Sequence, residues 1–510
     1  MKNGKRKGLH PAIYFIILSV TTVIISGVLK LLNIQSAHDS LTRVTGEVES
    51  TSRIVISLFS VDRIVYIFQN MINSMVEFAP LSMFIISAIS IAIAFKTGFL
   101  RTLFTKLSRK MPKFLIVYLF TLLCIISGIG SEFSYVLLLP IGAVLFMSLN
   151  RNPISGIVHA FAAISGGVGA NVFLTAIDYN LATYTEGSSK LIDIEYTVSA
   201  SSNMYFMIIM TFLLALTCTY VTEKLTVKKL GRNTYDEEEM VIDNDIEKRG
   251  LIASLVVSII FIAIVVIGII PGFNSDFIGF LLEKEQDNYI MSLFSTTSPF
   301  MQSSLYIFSI LIFLQGFAYG IATGVISKFR HIINFTNNYL KEHSTMFLIL
   351  FFAAQFIYIF KETNIGLVVT SALANLIKIT NFSFIPLILI IILFTIIANL
   401  VLPGTLSKWA IFAPSIMPLV MEANINPEFA QLVFRAGDSI SKMITPAFMF
   451  FAVYIGFVEV YTVDKNEFNM ASCYGKIMPY FLCMGLTWLF IIVSWYIIGI
   501  PIGPNVLPGI

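Results

Sequence analysis

The 510 residues are 56% hydrophobic and only 12% charged, with 45 phenylalanines and a formal net charge of +3. A soluble globular chain carries about 25% charged residues, so so few charges cannot cover a water-facing surface, and a charge this small and dispersed excludes the clustered basic face of a nucleic-acid binder. Cys124, Cys218, Cys473 and Cys483 lie far apart in apolar stretches, with no CxxC pair and no histidine at ligand spacing, which argues against a zinc site or a disulfide framework.

Apolar runs near the roughly 20 residues that cross a ~30 Å hydrocarbon core recur from end to end. The first, Ala12 to Leu32, follows Lys2, Lys5, Arg6 and Lys7. It is too long for a signal-peptide core and lacks a small-x-small cleavage motif, so it predicts a retained transmembrane helix with a cytoplasmic N-terminus. Residues 34–60 are polar, and 61–78 are amphipathic, as an interfacial helix would be. Apolar segments follow at 79–97, 113–128, 132–148 and 154–177, then clear spans at 203–222, 251–271 and 303–326. The last group is 346–377, interrupted at Lys361 to Asn364 by the turn of a hairpin, then 386–402, 409–421, 429–458 and 477–499. Between 223 and 250, Lys224, Lys228, Lys229 and Arg232 precede an acidic stretch from Asp236 to Glu239, predicting a cytoplasmic aqueous loop.

Slid against itself, the sequence repeats without a gap: Pro112, Gly130, Pro140, Asn150, Asn152, Pro153, Ala162 and Ser165 fall on Pro386, Gly404, Pro414, Asn424, Asn426, Pro427, Ala436 and Ser439. Compositional bias aligns leucines with leucines, but it does not readily align helix-breaking prolines. Residues 101–113 carry Arg101, Lys106, Arg109, Lys110 and Lys113, whereas 375–387 carry only Lys378, so the first junction is predicted cytoplasmic and the second external. Three spans between the copies give the odd number that inversion requires. The chain is therefore read as an all-α, inverted-repeat membrane transporter with broken helices. It divides into an N-terminal part with the first transmembrane helix (1–77), a first copy (78–200), three helices with the charged loop (201–345), a second copy (346–470) and a last helix with the C-terminus (471–510).

Ionisable groups inside apolar segments cost several kcal/mol and are functional candidates by default. They are Glu132, Asp178, the Lys361 and Glu362 pair, Arg435 and Asp438. The run Ser165 to Asn171 is too glycine-rich and polar for a lipid-facing helix, and its mate, Ser439 through Thr445 to Pro446, ends in a proline. Both predict unwound backbone lining a cavity, with tight packing through small residues as the alternative. Arg435 and Asp438, three residues apart, either neutralise each other or present a guanidinium to a substrate carboxylate with Asp438 holding it or binding a cation. Asp178 has no charged mate in the other copy, where Ala452 stands, and is read as a cation or proton carrier or as a helix cap. Trp409 could stack on an aromatic substrate or simply pack. His159 has no second histidine or HExxH context, which speaks against an intramembrane enzyme.

The run Lys408 to Pro414, the run Arg435 to Ser439 with Thr445 and Pro446, the glycine run through Asn171 to Asp178, and Tyr205 to Lys224 resemble the AbgT family of p-aminobenzoyl-glutamate transporters over nearly the whole chain. The resemblance implies a homodimer with about nine transmembrane helices and two re-entrant hairpins per protomer, related in fold to divalent-anion symporters. It implies uptake of p-aminobenzoyl-glutamate or efflux of sulfonamide antimetabolites, no organic cofactor, and functional positions at Asp178, Trp409, Pro427, Arg435 and Asp438. One departure stands out: where the family has a serine three residues before the tryptophan, this chain has Leu406, flanked by Thr405 and Ser407.

The expected substrate contacts are thus Arg435, Asp438, Trp409, Ser407, Pro427 and Asn171, and the expected ion-coupling groups Asp178, Ser165, Ser439 and Thr445, with Na⁺ or H⁺ as the coupling ion. The expected activity is ion-coupled carriage of a small aromatic or glutamate-containing anion across the plasma or inner membrane. A drug exporter or divalent-anion symporter of the same fold is the alternative.

Overall fold

The computed structural model describes residues 9–41, 48–130, 132–232, 243–272, 278–286, 288–379, 384–465 and 468–509. The basic residues 2–7 and the acidic stretch 236–239 lie outside them. The chain opens with α1 (Pro11–Leu31) and continues, after an extended stretch, through α2 (Val61–Gln69), α3 (Met71–Val76), α4 (Ala79–Lys96) and α5 (Phe99–Lys110). Next come α6 (Lys113–Ile126), α7 (Phe133–Ser148), α8 (Pro153–Gly166), α9 (Ala176–Ser189) and α10 (Met204–Val221), which runs through a π-helical turn, Thr222–Thr226, into α11 (Val227–Leu230). The middle holds α12 (Asn244–Ile269), α13 (Tyr289–Phe294), α14 (Pro299–Ala322) and α15 (Phe329–Glu342). The last series is α16 (Ser344–Glu362), α17 (Ile365–Lys378), α18 (Phe384–Val401), α19 (Thr405–Glu422), α20 (Pro427–Lys442), α21 (Met449–Val460) and α22 (Met470–Ile498).

Among the described residues, 7 helices are long and apolar enough to cross a bilayer uninterrupted: α1, α4, α10 with α11, α12, α14, α16 and α22. Two further crossings are broken helices, α8 with α9 and α20 with α21. The hairpins α6–α7 and α18–α19 complete the pattern. Helix continues from the flanking apolar runs into the polar 223–250 segment, to Leu230 on one side and from Asn244 on the other.

The copies correspond in their helix stops as well as their sequence. Asn150 and Asn424 both take left-handed backbone, φ 58° and 55°, which ends α7 and α19. Pro153 and Pro427 then start α8 and α20 at the position where a missing N–H costs nothing. The correspondence also extends beyond the aligned stretch. Gly98 and Asn364 follow α4 and α16 with positive φ, and Gly231 and Gly499 follow α11 and α22 likewise. These pairs are spaced 364 − 98 = 266 and 499 − 231 = 268, against 424 − 150 = 274 in the hairpins. The second copy is longer ahead of its hairpin, 424 − 364 = 60 residues against 150 − 98 = 52, and shorter behind it, 499 − 424 = 75 against 231 − 150 = 81, and that is why sliding at one offset stops short.

Each outer turn rests on the chain that follows the long helix of its own copy. Asn152 N–H donates to Gly231 O at 3.4 Å, while Asn426 donates to Pro508 O at 3.1 Å and through Nδ2 to Leu507 O at 2.6 Å. One segment departs from an all-helical reading. Within 34–60, strands β1 (Gln35–Leu41) and β2 (Val48–Ile54) pair antiparallel. Thr51 and the serines at 36, 50 and 52 suit an extended ribbon, which is anchored by Lys378 to Asp39 at 2.6 Å and by Asn375 Nδ2 to Ala37 O at 2.7 Å.

Candidate functional site

Helix α20 carries the argument, because its sequence is amphipathic while all 16 of its residues are buried. A polar face that meets no water must find its partners inside the protein. Each polar residue can be followed to one. Ser441 bonds Asn399 of α18 at 2.8 Å, Gln431 accepts from Thr185 of α9 at 2.6 Å, and Glu428 accepts from Tyr196 at 2.8 Å.

Arg435 does not pair with Asp438. Its Nη1 meets Asp178 Oδ1, across from the first copy. The local cause is the backbone of α9: Thr175 and Asp178 form a reciprocal capping box, with Thr175 N–H and Oγ1 donating to Asp178 Oδ2 at 2.7 and 2.8 Å. The cap fixes one carboxylate oxygen and leaves the other for the guanidinium. Asp178 is thus both cap and counter-ion, and the expectation that it stands without a charged mate is corrected. Arg435 is 5% exposed, and among the described residues its Nε and Nη2 donate to no protein acceptor.

Asp438 is held from the other side by two ammonium groups. Lys408 Nζ lies 2.8 Å from its Oδ1 and Lys442 Nζ 3.2 Å from its Oδ2, with Thr405 Oγ1 donating to Oδ2 at 2.7 Å. Lys408, fully buried, also donates to Asn399 Oδ1 at 2.6 Å and to Leu402 O at 2.9 Å, so its hydrogen bonds go to neutral acceptors while Asp438 Oδ1 holds it by charge alone. The expected Arg435–Asp438 contact gives way because each group has a better partner on a neighbouring helix. Thr405 supplies the hydroxyl on Asp438, while Ser407 is exposed and accepts no role there.

The unwound segments lie against this cluster. Residues 167–175 follow α8, and a Cβ built on Gly169 would stand 2.5 Å from Ser439 Oγ and 3.0 Å from Arg435 O, so only glycine permits the approach. Asn171, buried, shapes the segment by accepting from Val172 N–H at 2.7 Å and Phe173 N–H at 3.3 Å. In the second copy the helix persists to Lys442 and unwinds only over 443–448. Ser439 donates to Arg435 O and Thr445 to Ser441 O, at 2.7 and 2.8 Å, and Ser165 Oγ meets Tyr135 Oη at 3.1 Å. The first hairpin turn brings Glu132, which is exposed and within electrostatic range of Lys442.

Two expected contacts sit elsewhere. Trp409 is fully buried, its indole N–H donates to Thr185 Oγ1 at 2.9 Å, and its ring packs on Phe434 at 4.6 Å, so neither its donor nor its face is open. Pro427 starts α20 at the outer turn, eight residues and about 12 Å of helix from Arg435. His159 belongs to a helix-packing network, with Thr121 at 2.9 Å and Thr222 at 2.6 Å. The lysines are what sequence reading missed. Lys442 lies inside the apolar segment 429–458 like the other candidates and Lys408 immediately before 409–421, and the four-residue spacing of Asp438 and Lys442 was the available signal.

The sequence model of the AbgT putative transporter family matches residues 5–509. A curated relative, the p-aminobenzoyl-glutamate transport protein of Escherichia coli (strain K12), is 25% identical over 500 residues, 98% of this chain and 94% of the relative. Among solved structures, the Alcanivorax borkumensis YdaH transporter, described as having an unusual topology, is 25% identical with a TM-score of 0.49, over 97% of this chain and 100% of that one. Neisseria gonorrhoeae MtrF, described with a class of antimetabolite efflux pumps, is 29% identical with a TM-score of 0.49, over 98% of this chain and 97% of that one.

Proposed function

The chain belongs to the AbgT family of transporters, and from that premise we propose that it is an ion-coupled secondary carrier of p-aminobenzoyl-glutamate or a related aromatic, glutamate-containing anion. It is a multi-pass membrane protein and not an enzyme. We place it in the plasma membrane with its N-terminus cytoplasmic, as a homodimer.

The observation that carries the substrate reading is the guanidinium of Arg435, buried yet bonded through one nitrogen only. A buried guanidinium requires acceptors, and a planar carboxylate fits its open edge with two parallel hydrogen bonds. Charge points the same way. Lys408, Arg435 and Lys442 are three buried cations against two buried carboxylates of the cluster, Asp178 and Asp438, and the third carboxylate in range, Glu132, is exposed, so an incoming anion can take its place. Coupling follows from competition at Asp178. A proton or Na⁺ taken up by that carboxylate weakens its hold on Arg435 and turns the guanidinium toward the substrate. The hydroxyls of Ser165, Ser439 and Thr445 offer further oxygen to a cation, as hard-cation sites require. Alternating access then moves the site between the two faces of the membrane.

The test is uptake of labelled p-aminobenzoyl-glutamate into proteoliposomes under imposed Na⁺ or pH gradients, with counterflow as the mark of a carrier. Accumulation driven by one gradient, with counterflow, is expected. Absence of both under either gradient overturns the reading.

A further inference from the structure

The charges of the site resolve into pairs with one left over, and the leftover has a location. Asp178 answers Arg435. Lys408, fully buried 2.8 Å from Asp438 Oδ1 and donating to Asn399 and Leu402 O, answers Asp438. Lys442 is therefore the surplus cation. It donates to Thr405 Oγ1 at 3.0 Å and lies 3.2 Å from an Asp438 already neutralised, and its side chain, at 10% exposed, is more accessible than that of Lys408 or Arg435. Within electrostatic range of it is Glu132, exposed on the turn of the first hairpin.

Arg435 and Lys442 are seven residues apart on one helix, two turns and about 10 Å of rise, and so share a face. Both side chains are long enough to converge on one small molecule. We infer that Lys442 is a second anion-recognising group of the transport site, selecting substrates that carry two carboxylates, with Arg435 taking one and Lys442 the other. Glu132 is its competitor: a carboxylate of the protein that faces the same ammonium until the substrate's second carboxylate displaces it. This rests on the assignment of Arg435 to a substrate carboxylate. Lys442 then adds discrimination that one clamp cannot supply, because a monocarboxylate would leave the surplus charge unmatched.

The experiment pairs protein and ligand changes. Binding to purified protein in detergent is measured for p-aminobenzoyl-glutamate and for p-aminobenzoyl-glutamine, in which the γ-carboxylate is an uncharged amide. The wild-type protein should bind the dicarboxylate at least tenfold more tightly, the scale of one charge-assisted hydrogen bond. In Lys442→Gln that preference should collapse to near unity, Lys442→Arg should keep most of it, and Glu132→Gln should increase it. Lys442→Gln leaves Asp438 paired with Lys408, so the fold is expected to survive. Glu132→Gln, at an exposed position, provides an independent arm if it does not. An equal loss of affinity for both ligands in Lys442→Gln, with Glu132→Gln unchanged, overturns the inference while leaving the proposed function standing. Failure of the wild-type protein to bind either ligand would instead strike the function itself.

Discussion

Removing Asp178 and Arg435 singly and together tests the central pairing. Asp178→Ala strands a guanidinium that is 5% exposed and also takes the cap from α9. Breaking a buried ion pair from one side costs about 3–5 kcal/mol, and loss of an N-cap about 0.5–2 kcal/mol, so the two together approach 4–7 kcal/mol. Arg435→Ala should cost less, because Asp178 keeps its two donors from Thr175. In the double variant neither charge is stranded, and its loss should fall short of the sum of the single losses by about 3 kcal/mol, the upper end of measured couplings. Thermal unfolding midpoints in detergent, with yield of monodisperse protein, report the stability. Transport in proteoliposomes should stay absent in all three: Arg435→Ala and the double variant remove the partner of the substrate's carboxylate, and Asp178→Ala removes the carboxylate assigned to coupling. Strict additivity would refute the pairing, as would rescue of Arg435→Ala by Asp438→Ala in place of Asp178→Ala. Recovery of transport in the double variant would refute the role of Arg435 in binding substrate.

Lys408→Met should lower the unfolding midpoint sharply, since it strands Asn399 Oδ1 and Leu402 O and removes one of two ammonium groups from Asp438; adding Asp438→Asn should restore part of it, and a lack of any restoration would count against the ion pair. With Trp488 and Trp495 changed to Phe, the remaining Trp409 should resist acrylamide quenching equally with and without substrate, because its ring is fully buried; strong protection by substrate would reinstate stacking on the ligand. Cysteines placed beside Arg109 and beside Lys378 should label with impermeant maleimide from opposite membrane faces, and labelling of both from one face would rule out inversion.

The scaffold was legible because lipid constrains sequence so severely. Hydropathy located the spans, and the matched prolines and asparagines located the bends, since a helix stop leaves a mark in residue type. What lay beyond one fixed offset was hidden: Gly98 with Asn364 and Gly231 with Gly499 match by backbone conformation across a shifted register, and only coordinates reveal a shared φ. Of the expected site residues the fold gathers Arg435, Asp438 and Asp178 in one charge cluster and leaves Trp409 and Pro427 outside it, and the pairing within the cluster was not legible. Spacing along α20 brought Arg435 and Asp438 together on paper, but partners are chosen between helices, and nothing in the sequence says that α9 delivers Asp178 to one and α19 delivers Lys408 to the other. Trp409 shows the same limit, for an indole that could face a ligand is satisfied instead by Thr185.

The two copies share a backbone plan but not a charge plan, and the difference explains how a symmetric scaffold can hold one asymmetric site. Lys408, Arg435, Asp438 and Lys442 all belong to the second copy, and the matching positions of the first are Ser134, Phe161, Ile164 and Val168. Where Lys408 closes the end of α18 through Leu402 O, Ser134 closes the end of α6 with an uncharged bond to Ser127 O at 3.0 Å. The first copy answers with Asp178 and Glu132, one buried and committed to Arg435, the other exposed and within electrostatic range of Lys442. Cations therefore sit on one copy and free or releasable carboxylates on the other, so every charge contact of the site except those around Asp438 crosses between copies. A rocking of one copy against the other must make or break those crossing contacts, while the Lys408–Asp438–Lys442 group moves as a unit within the second. On the proposed reading, an anion bound between Arg435 and Lys442 would replace carboxylates of the first copy with its own, and that substitution would release the copies to move.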